Sequence, residues 1–356
     1  MTLLAFLRHI AFLTALALVS AGCVRMMIAA RVLDHPNARK AHANPIPKGG
    51  GVGVVVAFMI GIAVLYRFAA FSRLADPYFR GVILASAAIA LVAMLDDLRD
   101  WPFNVKLGAQ ILAALMAIGS GLFVRVYRLP YFGPVDLGWF GALATLAWVL
   151  FATNAMNFID GLNGLASGVA LIAALFLAGI AASQGGWFVY FAALLLAAGL
   201  AGFLPFNFPR ARIFMGDVGS QFCGFVLATL GVAASRFEQV EMSFVLVPML
   251  LAGVLFDVAF TLLRRVLTGE RITEAHRGHL YQLAHRSGMD ARVVTLVHWG
   301  FVAFGGLCAV GFVDAGTEGK VAFLLLPLLP QLLWLAYVGA RWRQTRAAQP
   351  AGRAGA

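Results

Sequence analysis

Runs of about 20 apolar residues recur along this chain from one end to the other, and that feature decides what it can fold into. A helix needs about 20 residues to cross a hydrocarbon core of about 30 Å. Within that core, backbone N–H and C=O groups must be satisfied inside a helix or a closed barrel. The polar alternation of a barrel strand is absent from these runs, so they read as helices. Composition agrees: 62% of the 356 residues are hydrophobic and 12% are charged, too little polar cover for a soluble protein. The expected fold class is therefore all-α, a polytopic integral membrane protein with about 10–11 transmembrane helices.

Apolar runs between polar breaks place eleven helices near 3–24, 51–70, 79–95, 106–124, 139–156, 165–183, 187–205, 218–235, 243–263, 293–312 and 321–340. Residues 1–340 read as one transmembrane catalytic domain. Residues 341–356 read as a short basic tail, disordered and lipid-facing at its start. The first run resembles a signal peptide, but Ala21-Gly22-Cys23 is followed by more apolar residues and a basic loop. It is read as a retained span, with lipoprotein-type cleavage before Cys23 as the alternative. Cys23, Cys223 and Cys308 lie in apolar runs without metal-type spacing and read as packed thiols.

The net charge of +11 is scattered between spans rather than gathered on one domain. It reads as a topology signal and an attraction to anionic lipid, not as a nucleic-acid surface. Placing the N-terminus outside puts most Lys and Arg in the cytoplasmic segments, so N-out and C-in is expected. The segments 31–50, 96–105, 157–164, 206–216 and 264–292 then share the cytoplasmic side. They hold half of the acids and most of the histidines.

Asp96 and Asp97 directly follow the apolar run ILASAAIALVAML. Adjacent aspartates at a hydrocarbon edge are costly unless a cation or water sits between them. Magnesium suits such a site, because it takes oxygen ligands and keeps waters and substrate phosphates in its shell; a solvated helix end is the bland reading. The segment NAMNFIDGLNGLASG adds Asn154, Asn157, Asp160 and Asn163 among glycines, a polar density that marks function at membrane depth. In FNFPRARIFMGDVGS, Asp217 can be a helix cap or face the site, with Asn207, Arg210 and Arg212 offering donors. The stretch AHRGHLYQLAHRSG clusters His276, Arg277 and His279. It lacks the partners of a zinc site and suits a diphosphate or lipid headgroups. Lys40 and Lys48 flank a Gly-rich turn into a helix that is no Walker A loop, since GGGVG lacks the GKS/T ending.

In this order, the paired aspartates, NxxNxxDGxxGL and FMGDxGS resemble the polyprenyl-phosphate N-acetylhexosamine-1-phosphate transferase family. The likeness runs from about Asp34 to Arg292. The resemblance implies that a lipid phosphate attacks the β-phosphorus of a UDP-N-acetylsugar at the cytoplasmic face of the bacterial inner membrane. Undecaprenyl-diphospho-sugar and UMP would be the products. It assigns Asp96, Asp97 and Asp217 to catalysis, with Asp217 and Asp97 as ligands of magnesium (manganese as the alternative) and Asp96 as a candidate base. A phosphate monoester with a second pKa near 6 is already largely ionised, so positioning and charge neutralisation can suffice without a base. Asn157, Asp160 and Asn207 match the nucleotide-sugar side, and His276, Arg277 and His279 match a diphosphate-binding loop. Asn163 stands where relatives often carry a second Asp, leaving nucleotide preference open. AHRGHLYQL lacks consecutive histidines and looks closer to the O-antigen-initiating branch than to the phospho-MurNAc-pentapeptide translocase. UDP-GlcNAc or a UDP-FucNAc or UDP-QuiNAc relative is the expected donor. Homodimers are also part of what the resemblance implies.

Two rivals predict different patterns. A secondary transporter places ionisable groups near the bilayer midplane on broken, inverted repeats, whereas these acids collect at span ends and no half repeats. A CDP-alcohol phosphotransferase would show its DG…AR pattern and following aspartates, and this chain does not.

Overall fold

The computed structural model describes residues 3–34, 45–68, 77–99, 101–129, 131, 133–235, 242–271 and 277–348. Lys40, His276 and the end of the basic tail lie outside the described residues. The protein is an all-α polytopic membrane protein. Among the described residues, nine helices are long and apolar enough to cross a membrane.

In chain order, α1 spans Leu3–Ala30, β1 Leu33–Asp34, β2 Ile46–Pro47, α2 Gly51–Phe68, α3 Pro77–Arg99 and α4 Phe103–Gly119. Strands β3 (Val126–Leu129) and β4 (Gly133–Asp136) then precede α5 (Gly138–Phe158), α6 (Leu165–Gln184), α7 (Trp187–Asn207) and α8 (Gly216–Ala234). The chain continues with α9 (Leu246–Leu250), α10 (Ala252–Leu267), α11 (Leu280–Arg286), α12 (Ala291–Asp314), α13 (Thr317–Leu325) and α14 (Leu328–Ala347).

Each of the eleven expected spans has a helical counterpart, but three differ from a plain crossing, one of them the expected 321–340 span, which is divided between α13 and α14 at Leu326 and Pro327. Helix α4 has 17 residues, short for the core at about 1.5 Å per residue. The expected 243–263 span is divided at Leu251 into α9 and α10. Helix α3 runs on to Arg99, so the expected loop from residue 96 begins later and both aspartates belong to the last helical turn. Helix α14 continues to Ala347, so the expected tail starts as helix. Arg286 and Arg346 both stack on Trp342 there, at 4.8 and 5.4 Å.

Helix α8 is the centre of the bundle, and every residue from Val218 to Ala234 is buried. It packs against α2, α3, α5, α6, α7 and α9. Small residues permit this crowding, since association in lipid depends on close packing rather than on a hydrophobic drive. The closest approach is Gly51 of α2 against Gly219 of α8, where a Cβ on Gly51 would sit 2.2 Å from the Gly219 Cα. Backbone bonds lock the same junction: Gly50 N–H donates to Phe214 O (2.9 Å), Gly51 N–H to Met215 O (2.8 Å) and Phe214 N–H to Pro47 O (2.8 Å). The segments after α1 and α7 are thereby fixed together at one end of the bundle. The β3–β4 hairpin, in antiparallel register from Val126↔Asp136 to Leu129↔Gly133, joins α4 to α5 at the end away from this junction.

Candidate active site

The end of α3, the starts of α4 and α8 and the end of α5 converge on a cluster of carboxylates. Asp96 is nearly fully buried and accepts from Trp101 N–H at 2.8 Å. Lys106, in the first turn of α4, places Nζ 2.6 Å from Asp96 Oδ2 and 3.1 Å from Asp217 Oδ2. One ammonium thus lies between two carboxylates from helices far apart in sequence.

Asp97 does something different. Its Oδ1 accepts from Asp217 N–H and its Oδ2 from Val218 N–H, both at 3.1 Å. These are first-turn donors of α8 that lack partners within their own helix, so Asp97 caps α8 from another helix, and its charge favours the helix N-terminus. Asp217 makes no cap of its own. It is free to turn inward, where its Oδ1 accepts from Asn157 Nδ2 at 3.0 Å and its Oδ2 from Gln221 Nε2 at 3.2 Å. Gly216 makes this possible. It has φ +75°, a conformation glycine adopts without steric cost, and a Cβ there would lie 2.5 Å from Asp97 Oδ2.

An amide chain extends the cluster inward. Gln110 Nε2 donates to Gln221 Oε1 at 3.0 Å, and Asn154 Nδ2 donates to Gln110 Oε1 at 2.6 Å. Asn157 also donates to Ser220 Oγ at 2.9 Å. Lys48 lies at the rim, 4.0 Å from Asp97 Oδ1.

The other expected residues are placed around this centre. Asp160 is half-buried on the turn directly after α5. Asn163 donates to Pro209 O at 3.4 Å, tying that turn to the segment before α8. Asn207 is 2% exposed; its Oδ1 accepts from Gly164 N–H (2.8 Å) and Ser167 Oγ (3.1 Å), and its Nδ2 donates to Ile213 O (3.0 Å). In this structure Asn207 is a staple between α6 and the segment leading to Asp217. Arg277 accepts at its carbonyl from Arg286 Nη1, 3.1 Å.

His279 is held by a residue the sequence reading passed over. Asp257, buried within α10, accepts from His279 Nδ1 (3.1 Å), Leu280 N–H (2.9 Å), Tyr281 N–H (3.0 Å) and Thr261 Oγ1 (3.2 Å). Tyr281 Oη donates to Phe158 O at 2.9 Å, so the histidine turn is carried against the end of α5 that bears Asn157. Lys106, Gln110 and Gln221 were also missed. Lys106 stands beside an apolar run, where a basic residue ordinarily reports topology. Asp257, an acid inside an apolar run, was the stronger signal.

The donor chemistry fits magnesium. Among the described residues no three His, Cys, Asp or Glu side chains converge on a metal position, so a protein-only cage is not offered. Asp96 and Asp217 do converge on one cation, and Mg2+ is commonly held by one or two carboxylates with waters and substrate phosphates completing the shell. The expected ligand pair was Asp217 with Asp97. In the structure Asp97 is committed to the α8 backbone, and Asp96 shares the cation with Asp217.

A buried acid cluster, shared by one lysine and bordered by amide groups, thus sits at one end of a helical membrane bundle. Comparison with known proteins gives the class of protein. Residues 79–235 match the family model described as Glycosyl transferase family 4. The chain is 32% identical to the Decaprenyl-phosphate N-acetylglucosaminephosphotransferase of Mycobacterium tuberculosis (strain ATCC 25618 / H37Rv), over 82% of this chain and 79% of the relative. It is 30% identical to the Undecaprenyl-phosphate alpha-N-acetylglucosaminyl 1-phosphate transferase of Yersinia pestis, over 73% and 71%. A Bacillus subtilis (strain 168) relative named "Probable undecaprenyl-phosphate N-acetylglucosaminyl 1-phosphate transferase" is 29% identical over 77% and 75%. The chain belongs to glycosyl transferase family 4.

Proposed function

We propose that the protein transfers N-acetylhexosamine 1-phosphate from a UDP-N-acetylsugar to undecaprenyl phosphate and releases UMP. The observation that carries this reading is the pair Asp96–Asp217 converging on one cation position at Lys106. The names of the relatives support it, since each describes a polyprenyl-phosphate N-acetylglucosamine-1-phosphate transferase.

The chemistry follows from where charge develops. An oxygen of the lipid phosphate bonds to the β-phosphorus of the donor, the bond from that phosphorus to the bridging oxygen breaks, and UMP leaves with the electron pair. Such transfers depend on positioning and electrostatic stabilisation more than on covalent chemistry by the protein. Lys106 supplies fixed positive charge beside the diphosphate, and Asn157 orients Asp217. Asp97 holds the first turn of α8, and with it Asp217, in place. A magnesium ion, or manganese in its place, held by Asp217 and Asp96 would neutralise the diphosphate oxygens. Asp160 and Asn163, on the turn after α5, take the nucleotide side, with Asn207 keeping that turn in register. The turn bearing Arg277 and His279, with His276 next to it in sequence, is read as the diphosphate-binding loop.

In this reading the site end of the bundle faces the cytoplasm and the protein lies in the bacterial inner membrane, an orientation that the Lys/Arg bias supports. UDP-GlcNAc is the leading donor, and the product would open synthesis of a surface polysaccharide of the O-antigen kind. Purified protein with undecaprenyl phosphate, Mg2+ and a panel of UDP-N-acetylsugars should release UMP. Release should stop in EDTA and in Asp217→Asn. Solute movement without magnesium and without UMP would instead favour a transporter.

A further inference from the structure

Helices α1 and α7 cross closely. A Cβ on Gly202 of α7 would lie 2.1 Å from Ala17 O of α1, and Ser20 Oγ donates to Gly199 O at 2.7 Å across the same crossing. Beside this crossing runs a groove of about 620 Å³, bounded from Thr14 to Ile28 on α1 and from Ala201 to Phe206 on α7. Thr14 to Ile28 is about 20 Å of helix at about 1.5 Å per residue, enough to pass the hydrocarbon depth of one leaflet, half of a core of about 30 Å. Leu18 on its wall is 67% exposed, so the groove opens to lipid. No carboxylate lines it; its charged groups are Arg25 and Arg212, at the end of the bundle that holds the acid cluster.

Both guanidiniums rest on one ring. Arg25 Cζ lies 5.9 Å and Arg212 Cζ 5.0 Å from the centroid of Phe206. Arg212, expected to offer a donor to the catalytic site, instead turns to this groove and donates from Nη2 to Pro205 O at 3.5 Å. Among the described residues no carboxylate pairs with either arginine. A snorkelling arginine reaches away toward bulk headgroups, whereas these two like charges converge on one buried ring and repel unless an anion sits between them. A phosphate matches the planar guanidinium fork, and the apolar remainder of the groove asks for hydrocarbon on the same molecule. Basic pockets between spanning helices bind anionic headgroups in this way. We propose that an anionic phospholipid docks here, its phosphate between Arg25 and Arg212 and one acyl chain along α1 from Ala21 toward Thr14. Binding does not depend on the transferase reading. The segment carrying Arg212 leads to Asp217 and is tied down by Asn207 Nδ2 to Ile213 O (3.0 Å) and by Phe214 N–H to Pro47 O (2.8 Å). One headgroup thus bridges α1 to that segment.

Dioctanoyl phosphatidylglycerol is titrated into the full-length protein in uncharged detergent, with dioctanoyl phosphatidylcholine and glycerol 1-phosphate as comparators. Phosphatidylglycerol should bind wild type at least tenfold more tightly than either. Arg25→Gln and Arg212→Gln, both at exposed positions, should each raise its Kd at least tenfold, the loss expected for one charge-assisted contact. Ala21→Trp fills the groove and keeps both charges, and should weaken binding likewise; should it fail to fold, Ala21→Leu is the milder filling. Amide exchange over residues 210–216 should slow when phosphatidylglycerol is added to wild type, and not when it is added to Arg212→Gln. The proposal is overturned if phosphatidylcholine binds as tightly, or if folded arginine variants keep the wild-type Kd. Glycerol 1-phosphate binding as tightly would make this a free-anion site, and farnesyl phosphate displacing phosphatidylglycerol with the lower Kd would make it a prenyl phosphate site; either overturns it. Unslowed exchange in lipid-bound wild type would overturn the bridge to the Asp217 segment.

Discussion

Replacing Gly216 with alanine should disable the protein although no functional group is removed. Two costs arise at once. Gly216 has φ +75°, and holding a residue with a Cβ in that region costs about 1–2 kcal/mol. The new Cβ would also lie 2.5 Å from Asp97 Oδ2, so the carboxylate must withdraw from the N–H groups of Asp217 and Val218. Hydrogen bonds to a charged group are worth about 1.5–3 kcal/mol each. Loss of one such bond plus the backbone strain comes to about 3 kcal/mol, or about two decades in rate at 1.36 kcal/mol per decade. UMP release at saturating substrates should therefore fall about 100-fold, with a lowered Tm in detergent. Gly216→Asn tests the partition, because asparagine tolerates positive φ but keeps the Cβ; it should keep the hydrogen-bond loss and shed much of the strain, for a fall of about tenfold. The double variant with Asp97→Ala should cost less than the sum of the singles, because removing the carboxylate removes the collision. Wild-type turnover in Gly216→Ala, or strict additivity with Asp97→Ala, would refute the claim that Asp97 acts by fixing α8.

Three further outcomes follow from other contacts. Lys106→Gln leaves Asp96 and Asp217 facing each other without their shared cation; turnover should drop about 10²-fold, and the Tm lost in EDTA should return with Mg2+, read by thermal unfolding. Asp257→Leu strips four donors of one buried acceptor and should destabilise by about 3–5 kcal/mol, seen as a large fall in Tm, with UMP release lost as the histidine turn detaches. Asn207→Leu orphans Gly164 N–H and Ile213 O, at about 1–3 kcal/mol per buried group; the expected signs are a lower Tm and a raised KM for the UDP-sugar, with KM for the lipid unchanged.

The spans were legible because the bilayer imposes one length on every crossing, and eleven apolar runs of that length stand in the sequence. The breaks at Leu251 and at Pro327 were not read from the sequence, in which both stretches pass for single helices, although Pro248 and Gly253 flank the first and Pro327 marks the second. Asp96, Asp97 and Asp217 could be picked out as acids at span ends, but their division of labour could not. The Asp97–Val218 contact joins residues 121 apart, and no local pattern says which of two neighbouring carboxylates turns toward a helix N-terminus. Lys106 was hidden by its ordinariness, because a basic residue beside a span usually reports topology. Asp257 was hidden only by attention to loops, since an acid within an apolar run signals a buried partner, here His279.

Which bond breaks in the donor is read directly by an isotopic label at its β-phosphate. UDP-GlcNAc carrying 32P at the β-position is incubated with the full chain, undecaprenyl phosphate and Mg2+, and the lipid and aqueous phases are separated. Phosphoryl attack predicts that label moves into the lipid with the sugar while unlabelled UMP appears in water. Label remaining in water as UDP while sugar enters the lipid would mean hexosyl transfer instead, and would contradict the assignment of the Asp96–Asp217 site to phosphoryl chemistry.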